Sequence, residues 1–398
     1  MITQTSQVCT ELSRVNKIII LLISSIVPQK SSAASVVLYR HLVEEDSIEL
    51  ICVSDRLHDP LTDIEVYPNL ILNRLKKTRL ARLAHSIRHL TLTENFSKLQ
   101  IQLQVEPPNL ILTVAHDPLC WLAQHCASKF QIPLITFFHD WLPDIAFVPD
   151  IVRPILERKF RRLYAQSQLA LCVSEEMKQA LGKHPNAHVL YPIPEPANHV
   201  RQKVDIESVS SCLNVVYSGN LSNIYGPMLR SLAHAAYSEN NINLKLLGPS
   251  PDWPQSEIQW MSDRQIYQGF VSREQLTKEL ENTGVLLVVM SFEQRDRRRM
   301  ETSFPSKLVE YCKFGKPIVI WGPEYCSAVQ WARKHKTALI VNSPVAQNCV
   351  EQLQLLSARP QESARLRQAA YAMSTQLFNP NHIQKQFLTL LTELVEPT

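Results

Sequence analysis

Glycine is scarce. The 398 residues include only eight, of which Gly182 is the first and the other seven fall between Gly219 and Gly322. A phosphate-cradling loop needs glycine so that backbone can approach the ligand, so the stretch before Gly182 holds neither a P-loop nor a dinucleotide fingerprint. A nucleotide, if bound, belongs in the second half. No Asp-x-Asp occurs that would present paired carboxylates to a metal ion. No apolar run reaches the ~20 residues that span a bilayer. The longest, residues 17–27 (Lys-Ile-Ile-Ile-Leu-Leu-Ile-Ser-Ser-Ile-Val), reads as a first buried parallel strand because a helical stretch follows at once. Its flanks, Lys17 and a Ser-Ala-Ala-Ser segment, leave a signal-peptide core as the alternative. The nine cysteines are odd in number, and the close pair Cys120 and Cys126 has no second pair to complete a zinc site. Cys52, Cys172 and Cys212 lie in apolar runs, which points to reduced buried thiols and a cytoplasmic protein.

What is present describes an ordinary globular chain, long enough for two full cores. Hydrophobic residues make up 45% and charged residues 20%, outside the range of disordered sequences. A net charge of +4 is too mild to call for nucleic acid, and none is expected as a partner.

Strand-like and helix-like runs alternate throughout, the mark of α/β architecture with parallel sheets. Strands are expected near 17–23, 48–53, 110–114, 133–138, 169–173 and 188–191, and helices over 33–44, 69–90, 118–129, 152–166 and 175–182. The pattern restarts at Asn214–Tyr217 and continues through 243–247, 266–267, 285–290, 318–321 and 338–341. Glycines stand just beyond several of these strands, where a ligand meets the carboxyl edge of a parallel sheet. The expected organisation is an N-terminal domain over 1–195, a proline-bearing linker over 196–213 and a C-terminal domain over 214–378. A helical segment over 379–398 is expected to pack back on the N-terminal domain. A cleft between two doubly wound domains is the default ligand site.

One run is richer in chemistry than the rest: Thr302 to Gly322, Thr-Ser-Phe-Pro-Ser-Lys-Leu-Val-Glu-Tyr-Cys-Lys-Phe-Gly-Lys-Pro-Ile-Val-Ile-Trp-Gly. It reads as a loop, a short helix opened by Pro305 and closed by Gly315, and a buried strand after Pro317. Free N–H groups at the helix start, beside Ser306 and Lys307, suit a phosphate. Glu310, four residues after Ser306, shares its helical face and can take a sugar hydroxyl. The alternative is a solvated helix turn with an ordinary charge pair.

Around these residues the chain resembles the GT-B glycosyltransferases, specifically the retaining family four that uses nucleotide-sugar donors. Val-Val-Tyr-Ser-Gly-Asn-Leu (215–221), Leu-Lys-Leu-Leu-Gly-Pro (244–249) and Tyr-Gln-Gly-Phe-Val-Ser-Arg-Glu-Gln-Leu (267–276) are similar to the family's C-domain strand ends. Phe-Pro-Ser-Lys-Leu-Val-Glu-Tyr with Phe-Gly-Lys-Pro is like its signature helix, and Leu-Cys-Val-Ser-Glu-Glu-Met (171–177) is like the strand end before the domain crossover. The resemblance implies two Rossmann-like domains facing a central cleft. It implies that Glu310 holds the ribose, that Ser306 and Lys307 face the diphosphate, and that Phe270 and Val271 face the base. Gly219, Asn220, Phe304 and Pro305 complete the expected donor set. Phe-Phe-His-Asp (137–140) looks like the loop that places a histidine near the donor sugar, which maps to His139. The implied activity is hexosyl transfer from a nucleotide-diphosphate sugar, serving as co-substrate without a further cofactor or metal, to a glycan, lipid-linked or small-molecule acceptor. Polysaccharide biosynthesis is the expected setting.

Two departures stand out. The family's Glu-x7-Glu pair would put its first glutamate at Thr302, with Glu301 one place off, so the catalytic candidates are His139, Glu301 and Thr302. The family's Arg and Lys after the first C-domain strand are replaced by Asn220 and Tyr225, which leaves Lys307 and the Arg295–Arg299 cluster to meet phosphate charge. Arg295 and Arg299 are therefore candidate phosphate contacts, or part of a solvated loop. On the acceptor side stand Ser31, Ser32, His116 and Asp140, each with a bland reading as a cap or a satisfied loop residue. These departures keep a non-catalytic binding or scaffold protein in view, and a nucleotide-sugar epimerase on the same scaffold is a further alternative.

Residues 72–90 place Leu72, Leu75, Leu80, Leu83, Ile87 and Leu90 at helical spacing. Arg74, Lys76, Lys77, Arg79, Arg82 and Arg88 accompany them with no acid among them. A basic amphipathic helix can lie on an anionic membrane at the cytoplasmic face. The alternative packs its apolar stripe on the N-terminal sheet.

Overall fold

The computed structural model describes residues 17–30, 33–196, 212–239 and 241–396. The chain forms two compact units: one runs to Leu190 and takes in the stretch from Gln384, and the other is Tyr191–Ile383.

The first unit is a seven-stranded sheet of β1 (Ile18–Ile23), β2 (Ile48–Ser54), β3 (Ile64–Glu65), β4 (Leu110–Val114), β5 (Leu134–Phe138), β6 (Leu169–Cys172) and β7 (Ala187–Val189). Their order is β3-β2-β1-β4-β5-β6-β7 and every neighbouring pair is parallel. Strands β4, β5 and β6 are buried at every position, which is why they read as unbroken apolar runs and not as alternating ones. Helices α1 (Ala33–Leu42), α2 (Leu70–Leu75), α3 (Ala81–Leu90), α4 (Ser97–Val105), α5 (Leu119–Phe130), α6 (Leu142–Ile145), α7 (Arg153–Gln166) and α8 (Glu175–Leu181) connect them.

The single helix expected over 69–90 is two. Thr78 is the cause: its hydroxyl donates to the Leu75 carbonyl and accepts from the Leu80 N–H, ending α2 and admitting α3 after a tight turn. The stripe expected to be apolar is also redistributed. Leu80 and Leu83 are half exposed, while Ser86, Arg88 and His89 face inward. Arg88 is buried because it is satisfied: its guanidinium reaches Asp55 at 2.9 Å and Glu94 at 3.0 Å. The six positive charges are therefore not one solvent face.

The second unit is a six-stranded parallel sheet, β10-β9-β8-β11-β12-β13. Its strands are β8 (Leu213–Ser218), β9 (Ile242–Leu247), β10 (Tyr267–Gly269), β11 (Val285–Val289), β12 (Ile318–Trp321) and β13 (Leu339–Val341). Helices α9 (Gly226–Tyr237), α10 (Gln255–Asp263), α11 (Arg273–Glu281), α12 (Arg297–Thr302), α13 (Ser306–Cys312), α14 (Ser327–His335), α15 (Ala346–Ser357) and α16 (Pro360–Thr375) cover it. The final helix α17 (Pro380–Val395) returns to the first unit, where Gln384 meets His41 of α1 and Gln386 donates to the Val189 carbonyl.

Both sheets are doubly wound. The strand order reverses between β1 and β4 in the first and between β8 and β11 in the second, and ligands of open parallel sheets bind at the carboxyl ends beside such a reversal.

Candidate functional site

At the switch point of the second sheet, β8 ends in Tyr217-Ser218-Gly219 and α13 lies across it. Lys307 and Tyr311, four residues apart, point from α13 to that strand end. The Tyr311 hydroxyl accepts the Ser218 N–H at 3.0 Å, which pins the helix. Lys307 Nζ donates to the Tyr217 hydroxyl at 2.7 Å, and that hydroxyl donates in turn to the Asn220 carbonyl at 2.7 Å. The ammonium also stands 4.1 Å from the Tyr217 ring centre and 5.7 Å from that of Tyr225. Among the described residues no carboxylate pairs with it, and burial lowers its pKa to about 7.

Gly219 has a reason to be glycine. Its φ is +133°, and a Cβ there would lie 2.3 Å from Lys307 Cε. Gly248, at the end of β9, lets the Gly219 carbonyl approach to where its own Cβ would be, 2.0 Å away. The edge is thus a stack of close backbone turns with one cation among them, a setting for phosphate oxygens.

Glu310 takes the other side of α13. Both its oxygens accept the Glu195 N–H at 3.3 Å, and Lys313 stands 3.4 Å away. The Glu195 carboxylate is itself held by Arg273 and Lys313. Burial would raise its pKa, but those two cations outweigh it and hold the group below the usual range. Phe270 follows β10 with 82% of its surface exposed, a ring free to stack, and Val271 is half buried beside it.

The remaining donor-side residues have local roles. Pro305 is the N-cap of α13, one place earlier than a first helical turn, because its ψ is extended. The helix has seven residues, so its dipole is short and the charge of Lys307 outweighs the free N–H groups near half-buried Ser306. The Phe304 ring is in the core, 5.0 Å from Tyr191 and 5.8 Å from Trp331. Asn220 is exposed, and its side chain accepts the Ser222 N–H.

Thr302 is 2% exposed, and its hydroxyl donates back to the Arg298 carbonyl at 2.8 Å within α12. Glu301 accepts from Arg297 at 2.7 Å on the outside of the same helix. Both side chains are thus bonded within their own helix. Arg295 is exposed and Arg299 half buried.

In the first unit, the switch point is closed by Ser25 and Asp117. Ser25, just beyond β1, donates from its hydroxyl to Asp117 Oδ2 at 2.6 Å, while Asp117 Oδ1 accepts the N–H of Leu119, the first residue of α5, at 2.7 Å. Burial raises the Asp117 pKa despite these bonds. His139 ends β5, 5.3 Å from Phe137, and burial lowers its pKa to about 4, so it is a neutral imidazole at neutral pH. His116 is exposed and Asp140 half buried. Ser31 and Ser32 lie outside the described residues. Asp117 has a signal in the sequence: an aspartate three residues past a buried strand and before an apolar helix. Tyr217, Tyr311 and Glu195 have no such signal, since each acts through a contact made only by the fold.

Residues 38–194 match the model of Glycosyltransferase Family 4. Among solved structures, the chain is similar to Anabaena Alr3699/HepE in complex with UDP and glucose, at 15% identity and TM-score 0.64, covering 95% of this chain and 100% of that one. It is similar to sucrose-phosphate synthase from Thermosynechococcus elongatus and to a glycosyltransferase from Rickettsia africae, each at 12% identity and TM-score 0.66, with 96% of this chain and 100% of the other covered. A search of curated protein sequences returned no match. The chain has the GT-B fold of two Rossmann-like domains, and its match to the Glycosyltransferase Family 4 model lies in the first of them.

Proposed function

We propose that this protein transfers a sugar from a nucleotide-diphosphate donor to a hydroxyl acceptor. The observation that supports this most is Lys307, a half-buried ammonium without a carboxylate partner among the described residues, at the switch point of the second sheet. An unpaired buried cation is costly, and the cost is offset when an anion arrives. In this reading Lys307 meets the diphosphate at the Gly219 turn, and Arg295 and Arg299 add charge from α12 and the turn before it. Glu310 takes the ribose hydroxyls, with Ser306 beside the phosphates, and Phe270 and Val271 cover the base. The same fold in Anabaena Alr3699/HepE binds UDP-glucose, which favours a uridine nucleotide.

As the donor's C–O bond breaks, negative charge grows on the departing phosphate and Lys307 stabilises it. The acceptor oxygen forms the new bond from the face the phosphate leaves, and its proton passes to that departing phosphate, so the configuration at the anomeric carbon is retained. Neutral His139 offers a hydrogen bond to the donor sugar, and Ser25, His116, Asp117 and Asp140 line the acceptor side.

Calorimetry with nucleoside diphosphates tests the reading. We expect UDP to bind the wild type and the Glu310→Ala variant to lose at least tenfold in affinity and all turnover. Unchanged affinity in Glu310→Ala removes the ribose assignment, and absence of binding by any nucleoside diphosphate removes the whole reading. The satisfied hydroxyl of Thr302 and the ion pair of Glu301 favour one second reading, a binding protein without turnover. Product formation from UDP-sugars decides between them.

A further inference from the structure

Large apolar side chains are exposed unevenly. Of those among the described residues, four, Tyr237, Phe270, Val345 and Leu355, belong to the second unit, and fourteen belong to the first. Several of the fourteen converge around α2 and α3. Leu70 and Ile71 on α2 are 74% and 70% exposed, and Leu80 and Leu83 at the start of α3 are 50% and 51%. Phe147 joins them, because Arg82 of α3 lies over its ring at 5.2 Å and His85 meets it edge-on. Beyond Phe147, Ile151 is 84% exposed.

The same surface is basic. Arg74, Lys77, Arg79 and Arg82 are exposed, and none forms an ion pair among the described residues. No carboxylate occurs between Glu65 and Glu94 in the sequence. The two acids that border the face, Asp55 and Glu94, are consumed by Arg88 underneath it. The start of α3 therefore carries Leu80 and Leu83 outward while Ser86, Arg88 and His89 face inward, the reverse of a helix packed for water.

We infer that this face docks on an anionic phospholipid bilayer. Leucine, isoleucine and phenylalanine enter the interfacial layer, and the four cations meet lipid phosphates. No helix among the described residues is long and apolar enough to cross a membrane. The face is anchored close to the carboxyl edge of the first sheet, since Asp55 follows β2 and its charge acts on Asp117. If the transferase reading holds, a lipid-borne acceptor would be met at the Ser25–Asp117 edge. The docking itself does not depend on that reading.

Co-sedimentation of the full chain with vesicles tests it. Vesicles of phosphatidylcholine with phosphatidylglycerol should pull the protein down, and pure phosphatidylcholine should do so at least tenfold less well. The triple variant Arg74→Glu, Lys77→Glu, Arg79→Glu should lose at least tenfold in partition to the anionic vesicles, as should Leu80→Asp with Leu83→Asp. UDP binding and melting temperature serve as the folding controls, because every one of these side chains is exposed. Equal partition to neutral and anionic vesicles, or a charge-reversed variant that binds as well as wild type, overturns the inference. So does failure to bind vesicles together with a concentration-dependent dimer that Leu80→Asp with Leu83→Asp dissolves, which would assign the face to a second copy of the chain.

Discussion

Lys307 combines three properties that single-residue chemistry links: it is enclosed by tyrosines, it has no carboxylate within ion-pair distance among the described residues, and burial brings its pKa to about 7. On the proposed reading, a diphosphate would bind its charged form and raise that pKa. In the free protein the charged form is depleted above pH 7, so affinity should fall as pH rises, approaching about tenfold per unit, with proton uptake on binding. Calorimetry in buffers of different ionisation enthalpy, from about pH 6.5 to about pH 8.5, measures both. Lys307→Met should bind roughly tenfold more weakly and lose the pH slope. The sequence named Lys307 and Glu310 through their spacing in a short helix. It could not name the Tyr217 and Tyr311 hydroxyls, because those residues read as apolar core until the fold brings β8 and α13 together.

Helices α2 and α3 show where periodicity stops being informative. Thr78 breaks the run by bonding its own backbone, and the acids that draw Arg88 inward lie at Asp55, 33 residues before it, and at Glu94, just beyond the helix. Replacing Arg88 by Met should cost about 3 kcal/mol, because two carboxylates lose their partner in a largely buried site, and urea unfolding reads the loss. At the other end of the chain, α17 is held against α1 through His41. Its Nδ1 bonds Gln384 at 2.7 Å, its ring lies 4.7 Å from Phe387, and burial lowers its pKa to about 4. Arg40 and His139 also disfavour its charge, and Glu45 shares Gln384. The unfolded chain takes a proton on this residue near pH 6.5 and the native one only near 4. Stability should therefore be unaffected by His41 above pH 6.5 and fall as pH drops from 6.5 to about 4, by about 1.4 kcal/mol per unit. His139 and His89, whose pKa values burial lowers to about 4 and about 3, act in the same direction. His41→Asn should flatten the acid limb by one proton in pH-dependent urea unfolding.

Across the whole molecule, each unit has its own hydrophobic core and its own sheet reversal. A nucleoside diphosphate should slow amide exchange at the second unit's carboxyl edge, over 217–222, 269–271 and 303–311, and leave β1 to β7 unchanged; mass spectrometry of exchanged peptides checks this. By itself the sequence determined the architecture. Unbroken apolar runs with helical stretches between them admit only parallel sheets covered on both faces, and the glycine census confined any nucleotide to the second half. It placed Lys307 and Glu310 together on one short helix as well, because the residues and their spacing are local facts. Tertiary structure decided the rest: that the Thr302 hydroxyl bonds its own helix and Glu301 pairs with Arg297, that Ser25 and Asp117 meet at the first switch point, and that Leu80 and Leu83 at the start of α3 face solvent. Each of these depends on partners far apart in sequence or on which face of an element is covered, and periodicity carries information on neither.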